Sequence, residues 1–202
     1  MRGKHQTDTS VAFTGSEALV AALQRGQAEA MAAFFDAYEP HARRILLRVL
    51  GADTELGDVL HDSFVNAFRS VHTLREASAL TAWFTRVTIF TARKVLRSRR
   101  RRAWIRLFRN DEQEARLEPV APGDVDTAQA LRTAYEVLGK QHPDEQLVFT
   151  LHYVEGMTLP EVATACDLSL STVKRRAKQA RLRFLSAIDH SSPLAAWTTE
   201  EP

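Results

Sequence analysis

TLPEVATACDLSLSTVKRRAKQARLRF, residues 158–184, is the stretch from which the rest of the chain can be read. Thr158 stands three residues before Glu161, the spacing of a capping box, in which each side chain satisfies a free N–H at a helix start. Pro160, with no N–H to lose, fits that first turn. The helix so begun sets Leu159, Val162 and Ala163 on its apolar side and stops near Cys166 and Asp167. Ser169 can cap a second helix from Leu170. On it Val173, Ala177, Ala180, Phe184 and Ile188 recur at spacings of three and four and make one apolar stripe. The other faces carry Ser171, Thr172, Lys174, Arg175, Lys178 and Arg181. Helix, tight turn and basic second helix is the pattern of a helix-turn-helix, whose second helix enters the DNA major groove. Ser and Thr near its start reach phosphates or base edges, and Lys and Arg reach either. A basic helix face is also an ordinary solvated face, so the surrounding chain has to be weighed with it.

The 202 residues suffice for one large domain or two small ones, and 45% hydrophobic with 26% charged residues is ordinary for a soluble protein. With 27 Lys+Arg against 25 Asp+Glu the net charge is only +2, so a nucleic-acid footprint must come from segregated charge. A single cysteine excludes an internal disulfide framework and suits a reducing cytosol. The start has no apolar core of signal-peptide length, and no apolar run is long enough to span a membrane. A cytoplasmic protein is expected.

Residues 1–15 are polar and without periodicity, and are read as a disordered tail. Helical spacing begins at Ser16 with Leu19, Val20 and Leu23, and Gly26 ends it. A second helix from Ala28 carries Met31, Phe34, Phe35 and Tyr38, an aromatic stripe that at helical spacing reads as core. Pro40 is expected to punctuate the chain before helicity resumes through Ile45, Leu46, Val49 and Leu50 to Gly51. In the helix predicted over residues 55–71, Leu56, Val59, Leu60, Phe64, Ala67 and Phe68 form the buried stripe, while Asp58, Asp62, Val65, Asn66 and Arg69 face elsewhere. Asp58, His61 and Asp62 share one face, but a metal site needs further ligands and an enclosing shell that nothing nearby supplies. They read as a solvated or partner-facing polar strip, and neither a metal nor a cofactor is expected.

ALTAWFTRVTIFTARKVLRSRRRRAWIRLFR, residues 79–109, is helical in pattern through Leu80, Trp83, Phe84, Val87, Thr91 and Val95. Its second half concentrates Arg93, Lys94, Arg97, Arg99, Arg100, Arg101, Arg102, Arg106 and Arg109. Cations beside Trp83, Phe84, Phe90 and Trp104 suit unpaired bases stacked along a phosphate track. The charge then reverses over residues 110–126, with Pro119, Pro122 and Gly123, which marks residues 105–127 as a linker. Beyond it Ala128, Leu131, Tyr135 and Leu138 define one helix, and Pro143 opens another with Leu147, Val148, Leu151 and His152. Cys166 lacks a resolving partner and reads as a small packing residue. Residues 191–202, Trp197 among them, form a polar tail. The fold class is all-α: two small helical bundles (residues 16–104 and 128–190) on a flexible acidic linker, the second containing the helix-turn-helix.

Three blocks in this order resemble the extracytoplasmic-function (ECF) group of sigma factors of the bacterial sigma-70 family. VEGMTLPEVATACDLSLSTVKRRAKQARLRFL, residues 154–185, is similar to the family's domain 4 signature; ELGDVLHDSFVNAFRSV, residues 55–71, to the core-binding helix of domain 2; and ALTAWFTRVTIFTARKVLRSRRRR, residues 79–102, to its promoter-melting helix. The resemblance implies no catalytic site but a subunit that lends promoter specificity to RNA polymerase core. Asp58, His61, Asp62, Phe64 and Phe68 would dock on the clamp of the largest polymerase subunits. Arg86, Phe90, Arg93, Lys94 and Arg97 would bind the −10 element and hold it open, a flipped base repaying its unstacking in a pocket. Ser171, Thr172, Lys174, Arg175 and Lys178 would read the −35 element. The acidic linker would thread the channel of nascent RNA, and an anti-sigma factor is an implied partner. The chain departs from the family pattern at His61, where Gln is usual, at Phe68 for an aromatic that is often Trp, at Phe90 for Asn, and at Ser171 for Gly or Pro.

A dimeric helix-turn-helix regulator that binds operators without polymerase would share residues 158–184. It requires neither the polar strip of residues 58–62 nor the acidic linker, but does require a self-complementary patch. An enzyme is disfavoured: the seven histidines are scattered, with no triad, P-loop or zinc spacing.

Overall fold

Helix α1 (Ser16–Gln24) and helix α2 (Ala28–Leu50) face each other across the turn at Gly26, and the Gln24 amide donates to Val71 O and Leu74 O. That pins α1 to the loop following helix α3 (Leu56–Ser70). In this computed structural model, which describes residue 13 and residues 15–109 and 125–187, every regular element is helical. Pro40 does not punctuate the chain: α2 runs through it as one helix. A proline inside a helix forfeits one backbone bond at about 3 kcal/mol. Here Phe34 before it and Ala42, Ile45 and Leu46 after it are all buried on one core, so the packing of both halves holds the helix together. Helix α2 ends at Gly51, whose φ of 79° would strain any other residue and where an added Cβ would stand a tight 3.3 Å from the Tyr135 ring.

After two 3-10 turns, Val71–Thr73 and Ala77–Ala79, helix α4 (Leu80–Arg109) is about 45 Å long at 1.5 Å per residue. Helices α2, α3 and α4 pack on a cluster of rings in which Phe34 meets Tyr38, Phe64, Phe68 and Phe84 at centroid distances of 4.7, 5.6, 6.1 and 4.9 Å. Leu80, Ile89, Ala92 and Leu96 extend this buried line along α4.

Helix α5 (Val125–Gly139), helix α6 (Pro143–Phe149) with a π-type turn over Thr150–Val154, helix α7 (Leu159–Cys166) and helix α8 (Leu170–Ala187) form the second group. Helical segments therefore extend into both ends of the stretch expected as linker; residues 110–124, and with them most of the acidic run, lie outside the described residues, as do residues 1–12 and 188–202. The two groups are packed against each other. Leu147, Val148, Leu151, Val162, Val173 and Ala177 belong to the same continuous buried cluster as Phe34, Leu46, Phe84 and Leu96.

Candidate nucleic-acid interface

The helix-turn-helix forms from its local signals. Thr158 Oγ1 accepts from the Glu161 N–H at 3.4 Å and the Glu161 carboxylate accepts from the Thr158 N–H at 2.7 Å. The Thr158 hydroxyl also donates to that carboxylate at 2.7 Å, and this bond first, with the one from the Thr158 N–H second, holds the Glu161 carboxyl below its ordinary range. Asp167 closes α7 in the left-handed region, φ 53°, and Ser169 Oγ accepts from the Thr172 N–H at 3.2 Å to start α8. Val173, Ala177 and Ala180 are buried against α6 and α7, which turns Ser171, Lys174, Arg175 and Lys178 to solvent with Thr172 half-buried. The Ser171 and Thr172 hydroxyls both bond Ser169 Oγ, at 3.1 and 2.7 Å, so the start of α8 is ordered before anything touches it.

Helix α4 divides its expected site residues. Arg86, Lys94 and Phe90 are exposed, Phe90 by 66%. Phe84 is fully buried in the ring cluster, so it stacks no base; the expectation that it joins an aromatic surface fails because the core of the bundle needs its area. Beside Phe90 lies a groove of about 730 Å³ whose walls include Asn66, Arg69, Arg86 and Arg93 from α3 and α4, and Ala165, Cys166 and Asp167 from the turn of the helix-turn-helix.

Arg93 is half-buried and Arg97 exposed, and both reach an acid of the same molecule. Arg93 Nε donates to Asp144 Oδ1 at 2.7 Å, Arg97 approaches the same carboxylate at 3.3 Å, and Arg176 of α8 lies 3.1 Å from its other oxygen. Burial alone would push the Asp144 carboxyl up, but the hydrogen bond from Arg93 and the charges of Arg93, Arg176 and Arg97 outweigh it and leave it below the ordinary value. Arg93 also donates to Cys166 O at 3.2 Å. Burial pushes the Cys166 thiol up to about 12, a packed and unreactive sulfur. Arg99 donates to Leu50 O at 3.3 Å and pairs with Asp53 at 2.9 Å, capping α2. Arg102 approaches Glu55, and Arg100 donates to Gln141 O at 2.8 Å. Asp144 was invisible in the sequence as a partner of α4, because an acid in the first turn of a helix reads as a complement to the helix dipole.

On α3, Asp58, His61 and Asp62 form an exposed strip, with Phe68 half-buried beneath. Phe64 is only 2% exposed, so it holds α3 in place from inside and touches no partner, contrary to its expected surface role.

Two family models match the chain, Sigma-70 region 2 over residues 34–102 and Sigma-70, region 4 over residues 133–184. The chain belongs to the sigma-70 family, in its ECF group. Similar relatives are the ECF RNA polymerase sigma-E factor of Haemophilus influenzae, 26% identical over 82% of this chain and 90% of that protein, and the RNA polymerase sigma-H factor of Pseudomonas aeruginosa, 26% identical over 81% and 88%. Among solved structures, CnrH in complex with the cytosolic domain of CnrY aligns with a TM-score of 0.57 and 23% identity over 86% of this chain and 97% of that one. The sigma factor RpoE of Bartonella quintana, in complex with the anti-sigma factor NepR, aligns with 0.57 and 18% over 77% and 94%. These two likenesses carry the fold. As a sigma factor the chain binds RNA polymerase core and directs promoter recognition, and an operator-binding dimer is not favoured. No helix among the described residues is long and apolar enough to cross a membrane.

Proposed function

We propose that this sigma factor divides its work between two domains, with residues 16–104 joining core polymerase and opening the −10 element and residues 128–190 reading the −35 element. The observation that carries the reading is the sorting of faces on α3, α4 and α8: each has one buried apolar line, and the polar residues of the family blocks lie opposite it. Asp58, His61, Asp62 and Phe68 dock on the clamp of the polymerase. Arg86, Phe90, Arg93, Lys94 and Arg97 hold the separated −10 strand, with Phe90 offering a stacking face beside the groove. Ser171, Thr172, Lys174, Arg175 and Lys178 enter the major groove upstream. The protein contributes recognition and strand capture rather than catalysis, and works in the cytoplasm where polymerase and chromosome meet. An anti-sigma factor is a further partner, a reading supported by the complexes in which the two solved relatives were captured.

In vitro transcription tests this. Purified protein and sigma-free core polymerase are given pooled genomic fragments, and transcripts are mapped at their 5′ ends. Discrete starts that share upstream elements and need the protein are expected, and Asp58→Arg with Asp62→Arg abolishes them together with core binding. Operator binding by the protein alone, with no transcripts, would overturn the reading.

A further inference from the structure

The far end of α8 leaves apolar side chains in water. Leu182 is 57% exposed and Leu185 38%, and three residues apart they are neighbours on the helix surface. Leu182 follows Lys178 by four residues and Leu185 follows Arg181 by four, so the pair prolongs the face that carries the cations. Helix α5, which packs on α8 through Ala130, Ala134 and Phe184, adds a third exposed leucine, Leu131. A lone exposed leucine is ordinary, but contiguous apolar surface marks a place where something docks. The ion pairs of α8 are made by Arg176 and Arg183, which leaves Lys178 and Arg181 without one among the described residues.

Residues 188–202, IDHSSPLAAWTTEEP, follow α8 and match this surface in kind. They hold Asp189, Glu200 and Glu201 but neither Lys nor Arg, and past Pro193 their apolar side chains gather at Leu194 to Trp197. Ser192 and Pro193 favour a turn. A chain reversed there runs back along α8, from its end towards its start. Leu182 lies about 7.5 Å and Lys178 about 13.5 Å back from Ala187 at 1.5 Å per residue, whereas the ten residues from Ala187 to Trp197 can span about 33 Å. Reach is ample and the order is right: Leu194 and Trp197 return to the leucines first, and Glu200 and Glu201 arrive at the cations beyond them. The acidic run of residues 110–124 has no aromatic residue to anchor it and is not an equal candidate.

We infer that residues 188–202 fold back on α8, with Leu194 and Trp197 seated on Leu182 and Leu185 and with Glu200 and Glu201 on Lys178 and Arg181, so that this segment competes with upstream DNA for the recognition helix. The inference rests on the −35 reading of α8 and adds a regulator of it carried in the same chain.

Docking and competition are read separately on the full-length protein. Labelled with 5-fluorotryptophan, it gives three fluorine resonances, from Trp83, Trp104 and Trp197, and Trp197→Phe identifies the last. The Trp197 resonance should stand away from its position in urea and return towards it in Leu182→Gln with Leu185→Gln, exposed substitutions that keep helix propensity. A resonance at the urea position from the outset, or one that these substitutions leave displaced, overturns the docking. A displacement that vanishes on dilution assigns the surface to a second copy and overturns it as well. Competition is read by fluorescence anisotropy with a labelled duplex bearing the upstream element mapped by transcription. Glu200→Gln with Glu201→Gln should bind it roughly threefold to tenfold more tightly, because two exposed ion pairs no longer have to break. Glu17→Gln with Glu29→Gln, exposed acids of α1 and α2, loses the same charge and should show no such gain. No gain in the first protein, or equal gains in both, overturns the competition. Adding Lys174→Ala and Arg175→Ala to the Glu200→Gln, Glu201→Gln protein tests the footing. Loss of duplex binding supports the −35 reading; unchanged binding overturns that reading and the competition with it, while the Trp197 resonance still decides the docking.

Discussion

Helix α4 carries Arg93, Arg97, Arg99, Arg100 and Arg102, each meeting an oxygen of the same molecule, while helix α8 carries Lys174, Arg175, Lys178 and Arg181 with no ion pair among the described residues. Both helices bury an apolar line and both are basic, so composition cannot tell them apart. The difference comes from what lies opposite. Asp53, Glu55 and Asp144 face α4, whereas on α8 Arg176 and Arg183 pair with Asp144 and Glu145 and Lys174, Arg175, Lys178 and Arg181 face solvent. Positive charge near a helix is thus a poor measure of readiness for DNA, and the acids brought in by tertiary packing decide how much of it is free.

The comparison can be broken at its base. Phe84 anchors α4 through contacts with Phe34, Tyr38 and Phe64, and Phe84→Ala should destabilise the protein by ~3–5 kcal/mol. The check is chemical denaturation followed by circular dichroism, and a loss below about 1 kcal/mol would mean that α4 is held by its arginines instead. A smaller effect sharpens the view of α8. Lys174→Ala with Arg175→Ala should weaken upstream promoter contact by about 1–3 kcal/mol while core binding stays intact. Transcription from a promoter found with pooled fragments, beside a core pull-down, reads both; lost core binding would contradict the assignment. The smallest change tests whether α7 merely supports α8. Thr158→Ala removes the capping box at a cost of about 1 kcal/mol, seen as a lowered melting temperature with the α8 side chains untouched.

The helix-turn-helix was legible because its signals are local: the Thr158–Glu161 box, the Ser169 cap and the stripe through Val173, Ala177 and Ala180 all lie within a few residues of one another. The same holds for the stripe of α3 and the stop at Gly51. Pro40 misled because its local penalty is met by burial on either side, which no local rule registers. Phe84 and Phe90 lie on one helix with the same chemistry, yet one is sealed and the other 66% exposed; only the position of α2 and α3 separates them. The Arg93–Asp144 pair joins residues 51 apart in sequence, and nothing in either neighbourhood announces the other.

The continuous apolar interior has a calorimetric consequence. Val148, Leu151, Val162 and Val173 are buried in the same cluster as Phe34 and Phe84, while the clusters around Ala130 and around Leu138, Phe149 and Ala180 are small. A group of helices with so little interior of its own melts together with the mass it leans on, and a shared interior makes the chain a single cooperative unit. Heating therefore gives one endotherm, in which α2–α4 and α6–α8 lose their structure at the same temperature.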